Sequence, residues 1–187
     1  MGQLVFNNRS LTSLRLHHSS PRWSEIWDIL RDQQVHLTEL VTDTVTDELI
    51  AYLSVCSGLQ RLTFRSIDSD LEAESETEND RLAGIFFDSV LPRHAHSLVQ
   101  FSCFPHFECR FSFSAHNAHV ISTLQRVSQL DMTVNSIDVP DDAHPDLFSG
   151  QNAVVRLLEI CAQLPALCHF GIYGGLSALL IGRKKDR

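Results

Sequence analysis

The sequence has no apolar run long enough to cross a membrane. Its one late apolar run, Leu176 to Ile181, is far shorter than the roughly 20 residues that a membrane-spanning helix needs. Polar residues such as Asn7 and Arg9 interrupt the first positions, so the chain has no signal-peptide core. We therefore expect neither a membrane partner nor secretion.

Positive charge is also scarce. The chain has 15 Lys and Arg against 23 Asp and Glu, a formal net charge of -8 and a pI near 5.6. Surfaces that bind nucleic acids or anionic lipids in general need clustered basic residues, so we expect no nucleic-acid partner. Much of the excess negative charge lies in one segment, Asp68 to Asp80.

Cysteine is infrequent and irregularly spaced. The five cysteines stand at positions 56, 103, 109, 161 and 168. An odd, unevenly spaced set is not typical of a disulfide framework. Four of them lie within or beside apolar runs, where a free cysteine behaves as a small apolar residue. The sequence therefore predicts a reducing, intracellular location, the cytoplasm or the nucleus.

Motifs for catalysis are missing as well. No glycine-rich phosphate loop follows a predicted strand, and no nucleophile elbow occurs. The best metal candidate is the set Cys103, His106 and Cys109, but a closed zinc site needs four ligands. We therefore predict no enzyme and no catalytic, metal-binding or cofactor-binding residues. The alternative is a small metal- or cysteine-dependent enzyme built on those three side chains.

What the sequence does contain is a short phrase that returns along the chain. The phrase is an apolar residue, two other residues, an apolar residue, any residue, and a last position that is usually apolar. Its six copies lie at 11–16, 37–42, 59–64, 98–103, 127–132 and 167–172. The spacing from Leu37 to Leu59 falls within the roughly 20–29 residues of leucine-rich repeats. We interpret the phrases as short strands of irregular repeats of that type.

Amphipathic segments separate the phrases. Helical spacing of apolar residues predicts helices over 21–33 and 151–163, and Thr46 is the predicted N-cap of another helix. A repeated order of strand, loop and helix predicts an α/β fold, a short irregular leucine-rich-repeat-like solenoid that forms a single domain over 1–187. Its parallel strands should lie on one face and its helices on the other.

The alternation within the phrases assigns strand residues to the two faces of the sheet. One apolar column should point inward, formed by Leu14, Leu40, Leu62, Phe101, Leu130 and Phe170. Outward residues should line a concave sheet face that binds a protein partner, among them Thr12, Arg15, Thr38, Arg61 and Thr63.

Two segments are predicted loops. Residues 66–80 are acidic, rich in serine and nearly free of large apolar side chains, which favours a disordered loop. Residues 135–150 contain two prolines and several aspartates, which is typical of a loop.

Two further helices and a strand follow from local signals. Asn79 and Asp80 are predicted to cap a helix that ends near Pro92. Alternating aromatic residues between 107 and 113 predict an additional strand, and Asn117 is the predicted cap of the helix that follows it.

Several of these segments together resemble a known family. The segments are Leu11-Thr-Ser-Leu-Arg-Leu16, Tyr52-Leu53 with Ser57-Gly-Leu-Gln-Arg-Leu62, Phe86-Phe-Asp-Ser-Val-Leu-Pro-Arg-His-Ala-His-Ser-Leu98, and Leu130-Asp-Met-Thr-Val-Asn135. They look like the C-terminal repeat region of the F-box/leucine-rich-repeat-like proteins of mushroom-forming fungi. The resemblance covers roughly residues 8 to 175.

The resemblance implies a non-catalytic protein–protein interaction domain. In that family a helical F-box precedes the repeats, and this sequence contains no such segment. The chain would therefore correspond to the substrate-recruiting part of an F-box-type adaptor, without the part that docks a ubiquitin ligase. A further alternative is a truncated gene product without independent activity.

Overall fold

Strands and helices alternate along the chain in the computed structural model, which describes residues 10–17, 23–65, 73–105, 107–139 and 152–174. The strands are β1 (Ser13–Arg15), β2 (Glu39–Thr42), β3 (Arg61–Arg65), β4 (Gln100–Phe104), β5 (Gln129–Val134) and β6 (His169–Gly174). The α-helices are α1 (Trp23–Asp32), α2 (Asp47–Val55), α3 (Ala73–Ile85), α4 (Leu91–His94), α5 (Ala118–Ile121) and α6 (Ala153–Gln163). A π-helix (Phe86–Val90) joins α3 to α4, and a 3-10 turn (Ser136–Asp138) follows β5.

The strands of the described part of the chain form one six-stranded sheet. Their order is β1-β2-β3-β4-β5-β6, and all neighbours are parallel. Each strand begins at the third residue of one sequence phrase. The predicted α/β class and the predicted strands at the six phrases are therefore confirmed.

The inward column is in register across the whole sheet. Leu14, Leu40, Leu62, Phe101, Leu130 and Phe170 are successive cross-strand partners. The four central members are fully buried, and the two on the end strands are partly buried. The prediction of this column is confirmed, because a period of two residues is enough to assign the buried face of a strand.

Helical residues pack on that apolar face of the sheet. Phe86 of the π-helix lies with its ring centroid 5.0 Å from that of Phe64 and 6.1 Å from that of Phe101. Phe111, which lies in a turn, adds a further ring 5.9 Å from Phe64. Burial of such aromatic side chains is a large part of what stabilises a domain of this size.

Tyr52 connects two helices to the start of a strand. Its ring stacks on Trp27 of α1, with the centroids 5.8 Å apart. Its hydroxyl donates to the carbonyl of Val35 (3.0 Å) and accepts from the backbone N–H of Leu37 (3.1 Å). The buried phenol thus satisfies two backbone groups of the segment that leads into β2, as a buried polar group must.

The predicted cap at Thr46 is confirmed, and the predicted helix over 151–163 is found at Ala153–Gln163 with a cap that the sequence analysis did not name. Thr46 caps α2, since its hydroxyl accepts from the backbone N–H of Leu49 (3.3 Å). Asn152 caps α6, since its side-chain carbonyl accepts from the backbone N–H of Val154 (2.9 Å). Gly58 has φ +79°, the left-handed conformation that favours glycine, in the turn between α2 and β3.

The prediction of a loop over 66–80 is wrong for residues 73–80, which belong to α3. Glutamate has a good helix propensity and is favourable near a helix N-terminus, so an acidic segment can form a helix. Arg81 donates to Glu78 within this helix (2.8 Å) and to Asp47 of α2 (2.6 Å). The second bond connects α3 to α2. Asn79 and Asp80 are therefore interior helical residues rather than caps. Residues 66–72 lie outside the described part.

The predicted helix end near Pro92 is two residues too early. The helical path continues through the π-helix and α4 to His94. Pro92 lies in the first turn of α4, the part of a helix that tolerates proline best. The wider turn of the π-helix ends in a bond from the N–H of Leu91 to the carbonyl of Phe86.

The segment from 107 to 113 is not the predicted strand. It forms turns and isolated bridges, including one between Phe113 and Val134. Phe111 and Phe113 are fully buried, so the alternating aromatics serve the core without forming a full strand. Asn117 occupies the predicted N-cap position of α5 but makes no capping hydrogen bond with its side chain; its buried amide instead accepts from the backbone N–H of Ser114 (3.1 Å) and donates to the carbonyl of Ser112 (3.0 Å).

The second predicted loop falls mainly outside the described residues. Of 135–150, the structure describes 135–139, where Ser136–Asp138 form the 3-10 turn. In the described part of the chain, no helix is both long and apolar enough to cross a membrane.

Candidate functional site: the polar face of the sheet

The face of the sheet opposite the inward column carries rows of mainly polar side chains, and we call it the polar face. One row consists of the cross-strand partners Ser13, Glu39, Arg61, Gln100, Gln129 and His169. The next row consists of Arg15, Val41, Thr63, Ser102, Asp131 and Gly171. Farther along the strands lie Arg65, Phe104, Thr133 and Tyr173.

The predicted outward residues divide into two groups. Arg15, Arg61 and Thr63 lie on the polar face, as expected. Thr12 and Thr38 each precede a strand by one residue. There Thr38 donates through its backbone N–H (2.8 Å) and its hydroxyl (3.1 Å) to the carbonyl of Thr12. These two threonines hydrogen-bond the segment before β2 to the segment before β1, and they belong to neither row.

Ion pairs connect the first three strands on the polar face. Glu39 accepts from Arg15 (2.8 Å) and from Arg61 (2.6 Å), one arginine on each neighbouring strand. The hydrogen bonds from Arg61 and then Arg15 lower the pKa of Glu39 below its usual value of 4.5. Both arginines are largely exposed, so solvent weakens the contribution of these pairs to stability.

Asp131 lies at the other end of the polar face and is buried, with its side chain 5% exposed. Its Oδ2 accepts from the hydroxyl of Ser102 (3.0 Å) and from the amide of Gln129 (2.8 Å). Its Oδ1 has no hydrogen-bond partner among the described residues. A buried carboxylate with one unsatisfied oxygen is costly, because nothing replaces the water that the oxygen has lost.

Two residues of β6 bring their atoms close to that oxygen. The imidazole Nε2 of His169 lies 3.7 Å from Asp131 Oδ1, which is too far for a hydrogen bond. Gly171 faces the same oxygen, and a Cβ at this position would lie 2.5 Å from it. Glycine is therefore required at 171 for the strand to pass beside the carboxylate.

Asp131 lines a pocket on the polar face, with a volume of about 630 Å³. The pocket is lined by strand residues and by Pro105, which follows β4. Phe104 and Tyr173 form one side of it as an edge-to-face pair with centroids 4.6 Å apart. Arg65 also lines the pocket, from β3. The pocket thus combines a buried carboxylate, an aromatic pair and an exposed cation.

The side chains of the alternative metal or thiolate site do not form a site among the described residues. Cys103 is fully buried on the inward face of β4, and its thiol donates to the carbonyl of Phe111 (3.4 Å). Burial raises the pKa of this thiol well above its usual value, so it is not an activated thiolate. Cys109 is partly buried in a turn, and His106 lies outside the described residues. In the described ranges no group of three or more His, Cys, Asp or Glu could hold a metal ion.

In comparisons with known proteins, no family model, no curated protein and no solved structure matches this chain.

The sequence contained a signal for Asp131 that the phrase analysis did not use. Asp131 occupies the fifth position of its phrase, the position that places Arg15, Thr63 and Ser102 on the polar face. An acidic residue at that position, two residues after a glutamine, indicates an outward carboxylate in the middle of the sheet. Its burial and its unsatisfied oxygen depend on neighbours from other strands, which the phrase does not reveal.

Proposed function

We propose that this chain is a non-catalytic protein–protein interaction domain whose polar face binds the partner. The observation that carries the proposal is the pocket of about 630 Å³, which strand side chains and Pro105 line on the face opposite the packed aromatic core. Pockets of this size with a few convergent polar groups are common binding sites. The partner would place side chains against the rows that the parallel strands hold in register.

The hydrogen bonds around Asp131 support binding rather than catalysis. Ser102 donates its hydroxyl proton to Asp131, and His169 lies on the far side of that carboxylate. A serine nucleophile needs a base within hydrogen-bond reach that can take its proton, with the carboxylate behind the base. Here the carboxylate lies between the serine and the histidine. This arrangement differs from that of a catalytic triad and leaves the carboxylate as a group that could bind a ligand.

The likeness to F-box/leucine-rich-repeat-like proteins gives the proposal a cellular context. In that context the domain recruits a protein substrate in the cytoplasm or nucleus, and another part of an adaptor contacts the ubiquitin ligase. The five free cysteines suit a reducing compartment. The net charge of -8 disfavours a general nucleic-acid surface.

Site-specific photocrosslinking tests which face binds. A benzophenone amino acid at Tyr173, which is 47% exposed and lines the pocket, replaces one aromatic ring by another. The matched control carries the same group at Val155 of α6, which is 45% exposed on the helical side. We expect discrete crosslinked proteins from position 173 in cells, identified by mass spectrometry, and none of the same proteins from position 155.

Two results would contradict this proposal. One is the same set of crosslinked proteins from both positions, and the other is no crosslinked protein from either. Ubiquitin-ligase subunits that co-purify with the crosslinked partner would support the adaptor context. Their absence, with a defined partner present, would remove that context and leave the interaction domain.

A further inference from the structure

Asp131 is the described residue whose chemistry the fold leaves incomplete. Its side chain is 5% exposed, and its Oδ1 lacks any hydrogen-bond donor in the described part of the chain. Ser102 and Gln129 both donate to the other oxygen, so they position the carboxylate without satisfying Oδ1. A buried carboxylate is normally paired with a cation or given several donors.

The neighbouring basic side chains that the structure describes do not complete the pair. His169 Nε2 lies 3.7 Å from Oδ1, and the His169 side chain is 62% exposed. Arg65 lines the same pocket, but β4 separates its strand from that of Asp131, and two strand spacings amount to about 9.6 Å. Neither of these described side chains donates to Oδ1 in the present arrangement, so a ligand that enters the pocket can supply the missing donor.

The other lining of the pocket favours a donor on a long, partly apolar side chain. The rings of Phe104 and Tyr173 pair edge to face beside Asp131. Tyr173 also lies next to Gly171 and hence close to the carboxylate, since a Cβ at Gly171 would be 2.9 Å from its ring. Alkyl stems of lysine and arginine pack on aromatic rings, and their charged ends are attracted to ring faces.

A bare metal ion fits this site less well. Calcium takes six to eight oxygen ligands and magnesium about six. Asp131 is the acidic residue that lines the pocket, and the described ranges contain no metal-ligating cluster around it.

We propose that the carboxylate of Asp131 binds a lysine or arginine side chain of the protein partner, with its stem against Phe104 and Tyr173. This inference rests on the proposed function, because it names the chemistry of the partner that the polar face binds. Oδ1 is shielded from solvent in the present arrangement, so a neighbouring side chain has to move for the cation to reach it, and His169 lies 3.7 Å away. The His169 side chain is 62% exposed on the end strand β6, so it has room to adopt another rotamer.

Four peptide libraries test this assignment. Each library displays random twelve-residue peptides on phage around a fixed central residue, which is lysine, arginine, glutamine or glutamate. The baits are the full chain, Asp131→Asn and His169→Ala. Asn keeps the shape of Asp and can still accept from Ser102 and Gln129, whereas it removes the charge that a cation would bind.

On the wild-type chain we expect the lysine or arginine library to be enriched at least about tenfold over the glutamine library, as for a desolvated charge pair. On Asp131→Asn the basic preference should disappear. On His169→Ala it should remain or increase, because the variant removes the side chain that has to move. The thermal unfolding temperature of Asp131→Asn should equal or exceed that of the wild type, since the unpaired buried charge is gone.

A second variant keeps the test decisive if Asp131→Asn does not fold. Tyr173→Ala leaves the hydrogen bonds of Asp131 intact and should lower the basic preference several-fold. A basic preference that persists in Asp131→Asn or Tyr173→Ala, or that is lost in His169→Ala, would overturn the inference. Peptides enriched without basic preference would overturn it and leave the proposed function standing, whereas no enrichment from any library would count against both.

Discussion

The two faces of the sheet are built from alternate residues of the same strands. They differ in how completely the fold buries or hydrogen-bonds their side chains. On the apolar face, Leu62, Phe101 and Leu130 are fully buried beneath helical and turn residues. On the polar face, Asp131 is nearly as buried, but one of its oxygens has no donor among the residues that the structure describes. Sites where the rules of packing and pairing are broken are where function is expected. The comparison therefore assigns stability mainly to the apolar face, and the polar face is the one on which we propose binding.

The sharpest test of this division uses two adjacent residues of β4. Phe101→Ala should cost about 3–5 kcal/mol of the free energy of unfolding, because it removes a fully buried ring from the cluster around Phe86. Gln100→Ala, on the polar face, should change that free energy by less than about 0.5 kcal/mol. Urea unfolding followed by circular dichroism measures both. Equal losses in the two variants would break the division between the faces.

A smaller loss of stability is expected from a substitution between β5 and β6, where Gly171 lies beside Asp131. Gly171→Ala places a Cβ 2.5 Å from Asp131 Oδ1, and this overpacking should cost about 1–3 kcal/mol. Gly174→Ala is the matched control in the same strand, because no atom lies within 4 Å of its added Cβ. It should be neutral or slightly stabilising, since alanine restricts the unfolded chain. Thermal unfolding of the two variants gives the comparison, and equal losses would show that the space beside Asp131 is not limiting.

Acid should affect the two faces in different pH ranges. Burial lowers the pKa of His94, whose Nε2 donates to the carbonyl of Leu53 (2.9 Å) on the helical side. The folded state thus favours neutral His94, and the stability from this group is present above its ordinary pKa of about 6.5 and is lost as the pH falls. Glu39 on the polar face has a lowered pKa because Arg61 and Arg15 donate to it. Its contribution is present above about pH 4.5 and is lost at lower pH.

The two pH ranges are separated by measuring unfolding in urea at pH 7, 5.5 and 4. The difference between wild type and His94→Gln should shrink from pH 7 to 5.5. The difference between wild type and Glu39→Gln should stay constant over that interval and shrink near pH 4. Parallel pH curves for the two differences would contradict the assignment of these ranges to the two groups.

The apolar face could be predicted from the sequence because its signal is local. A phrase of six residues contains the two apolar positions that a strand buries, and six copies give the register as well as the face. The polar face was predicted only as far as single residues allow, so Arg15, Arg61 and Thr63 were found. Asp131 was missed, because its burial needs Gln129 on its own strand, Ser102 on a second and Gly171 on a third.

The wrong predictions also depend on contacts between distant segments. The acidic sequence over 73–80 predicts a loop by its composition. In the structure it is helical, and Arg81 joins its helix to Asp47 of α2. A proline at 92 predicts a helix end. In the structure a π-helix precedes it, and Pro92 lies in the first turn of the next helical segment. In both places the local preference was weak, and a tertiary contact or an irregular turn decided the structure.

The strictly sequential order of the strands has a consequence for how the molecule opens. Each inner strand is hydrogen-bonded only to the strands before and after it in the chain, and within the described residues β1 and β6 each have one neighbour. Their residues are also less buried than those of β3, β4 and β5. Arrays of this kind lose structure from their ends by local unfolding. Backbone amides of β4 should therefore exchange with deuterium more slowly than those of β1 and β6, and we expect β6, which carries His169 and Gly171, to open before the central strands.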